Sequence, residues 1–200
     1  MIRIALFASG SGTNAQNLIQ IKDELKNCQL VKVITDKEDA GILSKCNDMH
    51  FPIEVITKKT TKLEHEKEIL KSLKADNIDW ILLAGYMRIL SADFIHKFYD
   101  KNLKQSKIIN IHPSLLPKYQ GLQAFERCFH SNDKTGGITL HFVDSGVDTG
   151  EIIDQQSFLR EETLEDFIKA GQKVEHKIYP DFLRRLDKYI ETNNIKDLYP

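Results

Sequence analysis

An amide and an imidazole two residues apart, Asn110 and His112, stand at the end of a β-branched run in Ile108-Ile-Asn-Ile-His-Pro-Ser-Leu-Leu-Pro-Lys-Tyr-Gln-Gly121. On an extended chain such neighbours point to the same side, so a donor and a titratable ring can address one reacting atom. Pro113 has no backbone N–H and biases His112 towards an extended conformation, which predicts a buried strand over Ser106–Ile111 that stops at the polar pair. Singly, an asparagine at a strand end is a common turn former and a lone histidine a common structural residue. A carboxylate that could face the ring lies in Asp144-Ser-Gly-Val-Asp148-Thr-Gly150. Two aspartates in a glycine-rich loop also suit calcium, but the EF-hand spacing and its closing glutamate are missing.

A second candidate site opens the chain. Ile2–Ala8 reads as a strand, Ser9-Gly-Ser-Gly-Thr-Asn14 as a glycine turn, and Leu18, Ile19 and Leu25 as the apolar side of a helix. Glycines permit close backbone approach, and the unpaired N–H groups of a helix start suit a phosphate. Thr13 and Asn14 could add side-chain donors, and a branched side chain at Gly12 is expected to fill the space through which the anion approaches. Gly10 to Ala15 also fits the looser dinucleotide pattern G-x-G-x-x-A, with Asp36 closing the next strand about 20 residues on. No lysine follows the glycines as an ATP-binding P-loop requires.

The elements that must hold these sites alternate. Strands are predicted at Gln29–Thr35, Ile53–Ile56 and Trp80–Ala84, with helices at Ala40–Met49 and Lys62–Leu73 between them. The last presents Leu63, Ile69, Leu70 and Leu73 as a modest apolar face. Such βα alternation predicts a mostly parallel sheet with ligands beyond the carboxyl ends of the strands, where Gly10–Asn14, Gly85–Leu90 and Asn110–His112 would gather. Gly136–Val143 and Glu151–Phe158 read as an antiparallel pair. Thr163 opens a long helix with a capping-box-like pattern, an apolar stripe from Leu164 to Leu186 and an expected kink at Pro180. The fold class is therefore α/β: one Rossmann-like domain over 1–200, its central sheet flanked by helices.

Composition narrows the partners. With 28 basic against 29 acidic residues there is no global basic field for nucleic acid. Three scattered cysteines, Cys28, Cys46 and Cys128, argue against a disulfide framework or a zinc ribbon and for buried free thiols. No apolar run approaches the roughly 20 residues of a membrane span. The first apolar run ends too soon at Ser9-Gly10 to be an export signal. A cytoplasmic, metal-free protein acting on small molecules is expected.

Asn110-Ile-His112-Pro-Ser-Leu-Leu-Pro-Lys-Tyr119 resembles the signature of the folate-dependent formyltransferases, and within them the branch acting on glycinamide ribonucleotide in purine biosynthesis. The likeness extends to Ser9–Asn14, Leu83–Leu90, His141–Val143, Asp148–Gly150 and Glu175-His-Lys-Ile-Tyr-Pro180. It implies transfer of the formyl group of 10-formyltetrahydrofolate to the amine of 5-phosphoribosylglycinamide by a monomer or homodimer. By resemblance, Asn110, His112 and Asp148 are the catalytic set. Gly12, Thr13 and Asn14 bind the substrate phosphate, with Glu175 close to its ribose. Lys62, Met87, Arg88, Ile89, Leu90, Asn110, Val143 and Asp144 hold the folate. The phosphate end falls in about 1–100, and the catalytic and folate end in about 101–200.

The residue types suit that chemistry. A neutral amine attacks the formyl carbon, negative charge grows on the oxygen, and Asn110 and protonated His112 are donors for it. Ionised Asp148 would favour imidazolium and help carry away the amine's proton through water. Four places depart from the family pattern. Lys62 stands where arginine is common, keeping charge but losing the bidentate fork. Gln120 replaces an expected proline, Gln123 a common histidine, and Thr149-Gly150-Glu151 also lacks a proline. A nicotinamide oxidoreductase, a sugar-nucleotide formyltransferase, a formylfolate hydrolase and a catalytically silent binding module are the competing readings.

Overall fold

Along β1 (Ile2–Phe7) side chains alternate between two cores: Ile4 and Leu6 pack into one apolar cluster, Ala5 and Phe7 into the other. That period-two sorting recurs in the later strands and defines the layers. The computed structural model describes residues 1–200. After β1 come α1 (Thr13–Gln20), β2 (Cys28–Thr35), α2 (Ile42–Asp48), β3 (Ile53–Val55), α3 (Lys62–Ala75) and β4 (Trp80–Leu83). Then follow α4 (Ala92–His96), the short strands β5 (Tyr99–Asp100) and β6 (Gln105–Ser106), β7 (Ile108–His112) and α5 (Ala124–Phe129). The chain finishes with β8 (Thr135–Phe142), β9 (Ile152–Leu159) and α6 (Leu164–Thr192).

Seven strands form one sheet in the order β3-β2-β1-β4-β7-β8-β9, and β5 pairs with β6 apart from it. From β3 to β7 the pairing is parallel, whereas β8 is antiparallel to both β7 and β9. The larger cluster joins one face of the sheet to α1, α2 and α6 through Leu18, Ile42, Ile178 and Phe182. The smaller joins the other face to α3 and α4 through Ile69, Leu73 and Phe94. Strand order reverses between β1 and β4, and their carboxyl ends open the crevice expected of such sheets. Two bonds tie the loops there: Ser9 N to the Gly85 carbonyl at 3.1 Å and Met87 N to Ser9 Oγ at 3.0 Å.

Several expected boundaries shift. The strand expected over Ser106–Ile111 is β7, which begins at Ile108 and includes His112, because Ser106 belongs to the separate hairpin against Tyr99. Helix α1 ends at Gln20, so Leu25 lies beyond it. On α3 the buried side is His65, Glu66, Ile69 and Leu73, while Leu63 is exposed. Proline at 180 does not interrupt α6, which runs from Leu164 to Thr192. Thr163 caps α6 by accepting from Asp166 N, and its hydroxyl donates to the Asp166 carboxylate in place of the reciprocal backbone bond of a capping box. All three cysteines are free and buried, and no helix is long and apolar enough to cross a membrane.

Candidate active site

Asp148 is the hub of the polar centre at the end of β7. Its Oδ2 lies 3.2 Å from His112 Nδ1 and accepts from Gly121 N at 2.8 Å. Its Oδ1 accepts from Asn110 Nδ2 at 3.3 Å and lies 3.5 Å from His141 Nε2. The strand geometry explains the convergence: Asn110 and His112 share a side of β7, and His141 is the direct cross-strand partner of Asn110 on β8. Asn110 and His112 were expected to aim at one reacting atom, whereas here both aim at the carboxylate. The second ring nitrogen of His112 donates to the Tyr119 carbonyl at 2.9 Å. Nothing in the sequence spacing points to His141. Its signals are the family likeness at His141–Val143 and a histidine in a mostly apolar strand, and strand pairing turns these into a site residue.

Electrostatics oppose one another here. Burial is the largest influence on His112 and holds its pKa below the usual histidine value, while the Asp148 charge and the Tyr119 carbonyl pull it back up. Both ring nitrogens face acceptors, an arrangement that imidazolium alone satisfies in full. Burial would also raise Asp148, but hydrogen bonds from His141 and Gly121 and the charges of both histidines overcome it, leaving a pKa of about 2. Such a carboxylate stays ionised at neutral pH and is too weak a base to store a proton. It can hold and orient imidazolium and pass a proton through water.

One cavity of about 540 Å³ joins this centre to the glycine turn. Gly12, Thr13 and Asn14 line it together with Glu175, Asn110, His112, His141 and Asp148. Gly12 precedes α1 in the left-handed conformation, with φ of 71°, and no side chain caps the helix. Its first N–H groups thus have the form of an anion cradle. One expectation needs correction. A Cβ at Gly12 would point into the core, 2.5 Å from Ile42 Cβ, and not into the anion's space. One amide proton of Asn14 goes to Glu175 Oε2 at 3.0 Å, which leaves the other as a donor, and Asn14 Oδ1 is buried with no partner.

Glu175 is buried, and burial raises its pKa to about 7 against the lowering effect of the Asn14 bond. The folded protein therefore binds this proton more tightly than the unfolded chain, and stability is lost as pH rises from about 4.5 to about 7. Glu175→Gln keeps the bond to Asn14 and cannot ionise. It is expected to raise Tm by roughly 5 °C more at pH 8 than at pH 5. Equal gains at both pH values in thermal melts would contradict a protonated Glu175.

The other wall of the cavity is apolar: Met87, Ile89 and Val147 are exposed, with Leu90 and Val143 beside them. Arg88 and Asp144 line the same wall. The Asp144 carboxylate fastens its own loop, accepting from Gly146 N at 3.1 Å and Thr149 Oγ1 at 2.7 Å. Lys62 is not in this cavity but in a smaller depression that shares the wall of Met87, Arg88, Ile89 and Leu90. Asp36, which a dinucleotide reading would place on a ribose, does not line the cavity and accepts from Arg88 Nε at 2.6 Å. That pairing removes the carboxylate on which the nicotinamide alternative depends.

Residues 2–183 match the formyl transferase family. The chain is 35% identical over 191 residues to "Phosphoribosylglycinamide formyltransferase" of Bacillus subtilis (strain 168), covering 93% of this chain and 95% of the relative. It is 36% identical over 191 residues to "Trifunctional purine biosynthetic protein adenosine-3" of Drosophila melanogaster, covering 92% of this chain but 14% of that protein. Among solved structures, phosphoribosylglycinamide formyltransferase from Bacillus halodurans superimposes with a TM-score of 0.84 at 38% identity, covering 96% of this chain and 97% of its own.

Proposed function

The chain belongs to the formyl transferase family, and from that premise we propose that it transfers the formyl group of 10-formyltetrahydrofolate to the amine of 5-phosphoribosylglycinamide in purine biosynthesis. The products are formylglycinamide ribonucleotide and tetrahydrofolate. The observation that carries this reading is a single cavity with a helix-start anion cradle, an Asp148-centred set of donors, and an apolar wall at Met87–Leu90 and Val143–Val147. Gly12, Thr13 and Asn14 take the phosphate, and Glu175 lies near the ribose. The apolar wall takes the folate ring system, with Arg88 and Asp144 at its edges and Lys62 reserved for the folate's acidic end. Residues 1–200 act as one domain, in the cytoplasm, without nucleic acid or metal, as a monomer or homodimer.

The chemistry asks three things of the protein: donors for an oxygen that gains negative charge as the amine attacks, a proton for the departing folate nitrogen, and a route for the amine's proton. Asn110 has two amide protons, one of them directed at Asp148. One is exchanged for the developing oxyanion as the tetrahedral intermediate forms. His112, whose protonated form Asp148 favours, supplies the proton, and Asp148 passes on the amine's proton through water. No covalent bond to the enzyme forms.

Incubation with both substrates, with deformylated folate and formylated ribonucleotide measured separately, is expected to give the two in equal amounts. Deformylated folate without formylated ribonucleotide would replace this reading with a hydrolase or with another acceptor.

A further inference from the structure

Two side chains outside the cavity hold the turn that separates β7 from α5. Gln120 Nε2 donates to the Asp148 carbonyl at 3.1 Å. The Gln120 carbonyl in turn accepts from Arg127 Nη1 at 2.6 Å, and the same nitrogen reaches the Leu122 carbonyl at 3.4 Å. The Arg127 guanidinium carbon also lies 5.7 Å from the centroid of the Tyr119 ring. From this turn come two contacts of the polar centre, the Tyr119 carbonyl on His112 and Gly121 N on Asp148.

The backbone needs such restraint. Tyr119 and Gln123 have φ of 56° and Asp148 has φ of 53°, all left-handed and none of them glycine. Residues of this kind keep that conformation only where their surroundings over-determine it. Asp133 contributes by accepting from Tyr119 Oη at 2.9 Å. The contacts that lock the turn to Asp148 itself are those of Gln120 and Gly121, and Arg127 holds the Gln120 and Leu122 carbonyls on either side of Gly121.

We propose that Gln120 and Arg127 are positioning residues, a clasp that seats the 119–123 turn on Asp148 and so aligns Asp148 with His112 for formyl transfer. For its rate readout this inference rests on the function proposed above. A proline at position 120 could not make the side-chain bond to Asp148, so this chain solves the positioning with an amide. The reacting groups are sensitive to such placement, since a shift of about 1 Å costs on the order of 10²-fold.

Gln120→Ala and Arg127→Ala are each expected to lower kcat by roughly tenfold to a hundredfold while both KM values stay within about threefold, because neither side chain lines the cavity. Arg127→Lys keeps one donor and the charge, and should recover part of the loss. In an Asp148→Asn background the alanine substitutions should add less than about twofold, since they act through Asp148. A readout independent of turnover is the His112 Nε2 proton, which the Tyr119 carbonyl should protect from exchange. Identified in NMR spectra by its disappearance in His112→Gln, it should be present in the intact protein and lost in Gln120→Ala.

Unchanged kcat in both folded alanine variants overturns the clasp, as does a loss that multiplies in full onto Asp148→Asn. A ring proton that is absent from the intact protein, or that persists in Gln120→Ala, overturns it too. If the intact protein makes no formylated product, the proposed function fails alone, and the ring proton decides the clasp.

Discussion

Replacing Asp148 by asparagine is expected to lower formyl transfer by roughly 10²- to 10⁴-fold, the range typical of acid–base groups. The substitution keeps approximate size and one of the two accepting oxygens, enough for Gly121 N or for Asn110 but not for both, while the charge is lost. The charge matters because burial already holds His112 below the ordinary histidine range, and Asp148 is the foremost influence pulling it back. Without it the ring loses its proton at lower pH. A rate that needs imidazolium falls as pH rises through that pKa, so the alkaline limb of the pH–rate profile should move towards acid in the variant. Substrate affinities should change less than turnover. A folded Asp148→Asn enzyme, checked by near-UV circular dichroism, with near-wild-type turnover and an unmoved alkaline limb would remove Asp148 from the mechanism.

Gly12→Val is expected to destabilise the whole fold, by about 3–5 kcal/mol from overpacking and left-handed strain together, or a Tm loss of roughly 10 °C. The added Cβ would stand 2.5 Å from Ile42 Cβ and Cδ1. Ile42 is fully buried at the start of α2, and its backbone N donates to the Gly10 carbonyl at 3.2 Å, so it cannot retreat without pulling on the phosphate turn. Loss of ribonucleotide affinity would then follow from a shifted turn and not from a blocked one. Gly10→Ala is the control, because a Cβ there meets nothing within 4 Å. Thermal melts decide: an unaltered Tm for Gly12→Val would mean that Ile42 yields freely and the packing argument fails.

The sequence alone was enough for what depends on local order. Continuous apolar runs separated by helical stretches specify an α/β sheet buried on both faces, because a strand covered on two sides needs apolar residues at successive positions along the chain. The polar residues that interrupt those runs marked Asn110 and His112, and glycine chemistry marked the turn before α1. The order and spacing of the motifs also carried the family resemblance. What local order could not contain was distance between segments. The register of β7 against β8 brings His141 opposite Asn110, the closure of the 119–123 turn places a carbonyl on His112, and the packing of α6 against α1 joins Glu175 to Asn14 across 161 positions. None of these pairings can be read from either member's own segment. The direction of the Gly12 Cα–H bond was likewise invisible, because it depends on where α2 packs. Tertiary structure decided these matters for one physical reason: a hydrogen bond or a steric overlap is fixed to within about an ångström, and only the folded backbone brings distant residues within that tolerance.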